Sequence, residues 1–293
     1  MCQTITPIEL RPTWQIQRIL GQGGEGVSYL VVDVNTNSRY VVKIFHSPRP
    51  KEKCRNLQIY AARVTGEYPG LPKLDLLEGE DGVYGIAYAY HPLHRVHYRL
   101  WGALDQLAQV VVGIYCRMQA HLISTAGIVL WDADVVNFLL ATDGRFHWID
   151  FGWGVAPVDH SWNLDRGHVG YGLAMLLLSV HGVNIKPAVQ ITPGYSPSQP
   201  CRYCLDSRLD ALAVKHRWLR QVLDEVRHQP ATALLEPEFY RQLGARLPDR
   251  VVAPRAIILA STALRTGGGL RALLRGAVRG AHLKPEAVPS EET

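Results

Sequence analysis

Asp132-Ala133-Asp134-Val135-Val136-Asn137-Phe138-Leu139-Leu140 sets an aspartate and an asparagine five residues apart, directly ahead of an apolar run. Phe146-His147-Trp148-Ile149-Asp150-Phe151-Gly152 follows, ending on an Asp-Phe-Gly triplet whose aspartate lies 18 residues after Asp132. With the apolar pair Ile128-Val129, these make three short apolar runs separated by polar turns. A carboxylate in such a turn ordinarily caps backbone N–H groups. That account suits Asp134 and suits Asp132 poorly.

Toward the N-terminus, Gly21-Gln22-Gly23-Gly24-Glu25-Gly26 fits the pattern G-x-G-x-x-G. A dinucleotide-binding version of that pattern needs a helix directly after it. Here Val27-Ser28-Tyr29-Leu30-Val31-Val32-Asp33-Val34 is strand-like and β-branched, so the glycines are predicted to form a hairpin turn after a strand over residues 14–20. In such a turn, backbone N–H groups can approach triphosphate oxygens with no Cβ in the way. Lys43 lies 17 residues after Gly26, inside Val41-Val42-Lys43-Ile44 on a predicted third strand over 39–45. A lysine between aliphatic residues on a strand ordinarily points to solvent.

The remaining elements are read the same way. A helix is expected over 54–64, ended by Gly66, Pro69, Gly70 and Pro72, and a strand pair over 74–77 and 82–90. Leu104, Leu107, Val111, Ile114, Met118 and Leu122 recur at helical spacing within 100–124. A buried helix is expected over 170–180, a Pro/Ser/Gly loop over 191–200, and helices over 205–227 and 237–247.

Glycine hairpin, strand-embedded Lys43, Asp132 with Asn137, and Asp150-Phe151-Gly152 occur in the order and at the spacing of the protein-kinase-like superfamily, which residues 14–185 resemble. The approach Ala126-Gly127-Ile128-Val129-Leu130-Trp131 also resembles the kinase catalytic-loop segment. The resemblance implies an α+β, two-lobed protein-kinase-like fold. A β-rich N-lobe would span 1–90, a mainly helical C-lobe 91–250, and a basic C-terminal extension with a disordered end 251–293. It implies that Gly21, Gly23, Gly24, Gly26 and Lys43 bind ATP. Asn137 and Asp150 would hold Mg²⁺, or Mn²⁺, since these ions favour hard oxygen ligands. Asp132 would accept the proton of an attacking hydroxyl, with Lys43 as its catalytic companion. The implied activity is transfer of the γ-phosphate to a hydroxyl, as in an atypical Ser/Thr protein kinase acting on a protein. A sugar, lipopolysaccharide or other small-molecule kinase is the alternative, and a nucleotide-binding pseudokinase a second.

Departures from the family pattern keep those alternatives open. Leu130-Trp131 replaces the usual His-Arg, Asp134 stands where a lysine is usual, and Ser28 where a valine packs under adenine. The helix over 54–64 offers Gln58, not a glutamate, to Lys43, while Glu52 and Glu67 fall outside the best alignment. Asp165, which with Gly170 resembles the start of the buried C-lobe helix, follows Asp150 by only 15 residues, and no Ala-Pro-Glu occurs between them. Peptide docking through a normal activation loop is therefore not expected. Nor is a phosphorylation switch, since Trp131 stands where an arginine would pair with the phosphate and the Asp150–Asp165 interval leaves little chain to reorganise; Ser161 is the only hydroxyl-bearing residue from Gly152 to Asp165.

The composition fits a folded domain of 293 residues, 47% hydrophobic and 19% charged. No run of about 18 uncharged apolar residues is present. Met1-Cys2-Gln3-Thr4-Ile5 lacks the basic and apolar regions of a signal peptide, and five scattered cysteines argue against a disulfide scaffold, so a cytoplasmic setting is expected. The net charge of +5 is uneven: residues 240–284 hold nine Lys/Arg against Asp249 alone. Arg271, Arg275 and Arg279 are four apart on one helical face, an ordinary solvated face that could also meet an anionic membrane surface or an acidic partner. Specific nucleic-acid binding is not expected. Cys201-Arg202-Tyr203-Cys204 lacks the second ligand pair that tetrahedral zinc needs, and His160, His168 and His181 are read as structural.

Overall fold

The computed structural model describes residues 11–66, 68–151, 155–158, 170–183 and 201–266. The expectations for Glu67, Gly152, His160, Ser161, Asp165, His168, the 191–200 loop and the arginine-rich tail, and for the side chain of Glu52, lie outside the described residues.

The fold is α+β. Strands β1 (Trp14–Gln22), β2 (Gly26–Asp33), β3 (Arg39–Arg49), β4 (Asp75–Gly79) and β5 (Gly82–Ala89) form an antiparallel sheet in the order β1-β2-β3-β5-β4. Alternation along β3 sets its two faces. Val42 and Ile44 join Trp14, Val31, Leu77 and Ala87 in a small cluster on one side. Val41, Lys43 and Phe45 therefore face the other way, and Phe45 enters the main core. Helix α1 (Arg55–Arg63), between β3 and β4, buries Leu57 and Tyr60 in that core.

Past β5 the short strand β6 (Leu93–His94) is followed by α2 (Tyr98–Trp101) and α3 (Asp105–Ala126). The helical spacing predicted one helix over 100–124, but the chain breaks at Gly102–Leu104, where Leu104 is extended and Asp105 opens a new helix. Glycine weakens a helix interior, and an acid favours a first turn. Fourteen residues of α3 are buried, making it the central rod of the main core. A fully buried Leu or Val contributes about 1.5–3 kcal/mol, which explains why so apolar a helix sits in the middle. Gly127, at φ +64°, ends it.

Three apolar runs become β7 (Ile128–Leu130), β8 (Phe138–Ala141) and β9 (Phe146–Trp148). Strand β7 pairs with β10 (Val155–Pro157), while β8 lies between β6 and β9. The wholly buried α4 (Tyr171–Ser179) packs against α3. The helix expected over 205–227 is instead α5 (Ser207–Ala213) and α6 (Arg217–Arg227). His216 is extended at the break, its Nδ1 2.6 Å from Asp105 Oδ1 and its ring 4.3 Å from that of His181. Those tertiary contacts outweigh a local preference for helix. Helix α7 (Pro237–Ala245) packs on α3. Helix α8 (Pro254–Arg265) lies within the stretch read as a basic extension, yet it is docked: Ser261 is buried and accepts from His97 N at 3.2 Å, and Arg265 donates to Arg95 O at 3.0 Å. No described helix is long and apolar enough to cross a membrane.

Candidate active site

A cleft of about 910 Å³ opens beneath the β1–β2 hairpin, between the Lys43 face of the sheet and the β8–β9 segment. Its apolar walls include Leu20 and Val41 from the sheet and Leu139 from β8; its polar end carries Lys43, Asn137 and Asp150. The predicted glycines line the same cleft. A Cβ at Gly21, Gly23 or Gly24 would meet nothing within 4 Å, so the turn presents bare backbone to open space. Gly26 is different. A Cβ there would fall 2.0 Å from the Ile44 carbonyl oxygen, so this glycine is needed for β2 to lie against β3.

Lys43 is drawn inward by two carboxylates. Its Nζ lies 2.8 Å from Glu25 Oε2 and 3.4 Å from Asp150 Oδ1, and its side chain is 16% exposed. The solvent-facing alternative for this lysine is thereby corrected: ion pairing holds it in the cleft. Gln58, expected to reach Lys43, does not. Its Nε2 donates to Glu78 Oε1 at 3.2 Å, because α1 turns that face toward β4. The residue that sequence reasoning missed is Glu25, inside the glycine pattern itself.

Asp150 is positioned by its neighbours. Phe151 is fully buried against Trp148, Tyr60 and Tyr88, with ring centroids 4.7, 5.4 and 5.7 Å away. Ile149 N donates to Asn137 O at 3.0 Å, which ties the two oxygen-bearing residues to neighbouring backbone. Asn137 also closes the 3₁₀ turn Val135–Asn137, its amide Nδ2 donating to Asp132 O at 3.3 Å. Asp134 caps that turn by accepting from Val136 N at 3.1 Å, so its carboxylate serves the backbone. Ser179 on α4 accepts from Val135 N at 3.0 Å and fixes the turn from below.

Asp132 is not on the cleft wall with Lys43, Asn137 and Asp150, but it lies within their electrostatic field. Burial first, and then the carboxylates of Asp150, Asp134 and Glu25, push its carboxyl up to about 6. A carboxylate tuned toward neutrality beside a cation-paired cleft is suited to taking a proton.

The donors at the polar end are a carboxylate and an amide oxygen, a pair that fits Mg²⁺ held in part by phosphate oxygens and water. Elsewhere, Cys201 and Cys204 are both buried, and their mutual hydrogen bond, followed by burial, pushes the Cys204 thiol well up, away from a metal-binding thiolate. Among the described residues no group of three or more His, Cys, Asp or Glu side chains could hold a metal ion. No protein-family model matches the chain, and no curated protein matches it.

Proposed function

We propose that this protein is an ATP-dependent phosphotransferase of two-lobed, protein-kinase-like fold, with the nucleotide in the cleft between the five-stranded sheet and the mainly helical remainder. The observation that carries the reading is the convergence of Lys43, Asp150 and Asn137 beneath a glycine turn whose backbone is unobstructed. Leu20, Val41 and Leu139, which line the cleft, would receive the adenine, and Lys43 and the turn the phosphates. Mg²⁺ held by Asp150 and Asn137 would neutralise charge on the phosphates during transfer.

In the reaction, the acceptor hydroxyl oxygen forms a bond to the γ-phosphorus. The bond from that phosphorus to the β–γ bridging oxygen breaks, and ADP leaves. The hydroxyl proton passes to Asp132, which is charged for this purpose above about pH 6. A protein hydroxyl is the first acceptor to test and a saccharide hydroxyl the second, the latter favoured by the short Asp150–Asp165 interval.

The test is thermal stability with ATP, with and without Mg²⁺ or Mn²⁺, followed by ATP consumption with protein and saccharide acceptors. A ligand selective for the folded state adds stability by mass action, about 2.7 kcal/mol at a hundredfold excess over Kd, and so raises the melting temperature. Asp150→Ala should remove the metal-dependent part. An unchanged melting temperature at millimolar ATP with either metal refutes the nucleotide site; binding with no turnover on any acceptor identifies a pseudokinase.

A further inference from the structure

We infer that Glu25, at the tip of the glycine turn, is the residue that positions Lys43 for the nucleotide phosphates, in place of a carboxylate from the neighbouring helix. The inference rests on the phosphotransferase reading and extends it to a residue that the family resemblance does not assign.

Helix α1 cannot supply the partner. Its sequence, Arg-Asn-Leu-Gln-Ile-Tyr-Ala-Ala-Arg, contains no acid, and Gln58 is engaged with Glu78. Glu25 is instead held over Lys43 by several independent contacts. Its Oε2 lies 2.8 Å from Lys43 Nζ and 3.4 Å from Arg49 Nη2, and the Arg49 guanidinium stacks 3.9 Å above the Phe45 ring. Its carbonyl accepts from His46 N at 3.0 Å, and the His46 ring reaches Gly23 O at 2.9 Å. Within the turn, Gly23 N donates to Gly26 O at 3.0 Å. Residues 43, 46 and 49 of β3 thus fasten the turn that Glu25 occupies.

The charge arrangement suits a positioning role. Two cations share Glu25, and Lys43 also lies against Asp150. Arg49 retains Glu25 when Lys43 also engages phosphate. Asp150, the other carboxylate on Lys43, would exchange that contact for a metal ion. An extended lysine loses much of its rotamer freedom on fixing one geometry, and a 2.8 Å charge-assisted contact imposes that order before nucleotide arrives.

The experiment is a double-mutant cycle on the full chain, reading Kd for ATP·Mg²⁺ by titration in wild type, Glu25→Gln, Lys43→Ala and the double variant. Glu25→Gln should weaken binding by about tenfold, the loss expected for a hydrogen bond to a charged group. Glu25→Asp should recover part of it, and Gln58→Leu should bind as wild type. In the Lys43→Ala background Glu25→Gln should have no further effect; a residue that merely shaped the turn would lose affinity additively. Circular dichroism of each variant checks folding, and Glu25→Asp carries the test if Glu25→Gln does not fold. Wild-type binding with unchanged or tighter binding by Glu25→Gln overturns this inference and leaves the phosphotransferase reading intact. Failure of wild type to bind ATP·Mg²⁺ overturns both.

Discussion

Gln119 on α3 grips both backbone polar groups of Leu130, accepting from its N–H at 2.8 Å and donating to its carbonyl at 2.9 Å. Tyr115 adds a second donor to the same carbonyl at 3.1 Å. Leu130 ends β7 two residues before Asp132, so one buried amide sets the height of the candidate base above the core. Gln119→Leu leaves a buried N–H without that acceptor and should cost about 1–3 kcal/mol, measured by denaturant unfolding. Turnover should fall more than ATP affinity, because the displaced residue is Asp132 and not Lys43.

The glycines of the hairpin should separate into two classes. Gly26→Ala forces a Cβ against the Ile44 carbonyl and should destabilise the protein by about 1–3 kcal/mol. Gly24→Ala meets no protein atom and should stay within about 0.5 kcal/mol of wild type. Its effect should appear as weaker ATP binding, where the added methyl group crowds the phosphate approach. Paired unfolding and nucleotide titrations of the two variants check the contrast.

Asp132→Asn should stabilise the protein while disabling it. The folded carboxyl titrates near 6, above the ordinary carboxylate value, so the folded state favours the protonated form. The resulting penalty on the charged form grows as pH rises from about 4 to 6 and is constant above. Replacing the acid by a neutral amide should raise the melting temperature at pH 7–8, with the gain vanishing toward pH 4. Turnover should drop by about 100-fold or more with nucleotide affinity nearly kept. In wild type, kcat/KM should rise across pH 6.

His181 should make stability sensitive to acid. Its Nε2 is buried and has no partner among the described residues, and burial, then the neighbouring His216, lower its titration to about 4, against a smaller opposing pull from Asp105. The unfolded chain binds a proton near 6.5 and the folded chain does not, so stability is lost as pH falls from about 6.5 to 4. His181→Phe keeps a ring to stack on His216 and Trp218 and should flatten that loss. Melting temperatures of both proteins at pH 7 and pH 5 give the comparison.

The hairpin around Gly21–Gly26, the apolar strand bearing Lys43, the long helix through Val111 and Met118 and the short strands flanking Asn137 were all legible in the chain. Each is written in local periodicity or in β-branched runs bounded by turn residues, and burial of a repeated apolar face enforces it. Single polar contacts between distant segments carry no such repeat. Lys43 could be read as an ordinary solvated lysine until Glu25 and Asp150 closed on it from 18 and 107 residues away. The partner of Gln58 depended on which way α1 rolled onto the core, and the break before α6 on where His216 met Asp105. Ser261 anchors α8 through His97, 164 residues distant, in a stretch read for its positive charge alone. The chain thus set its elements and the order of its oxygen-bearing and cationic side chains by local preference. Which carboxylate holds the lysine, which amide steadies the candidate base and where the last helix docks were decided by packing, since each depends on groups that meet only once the core is formed.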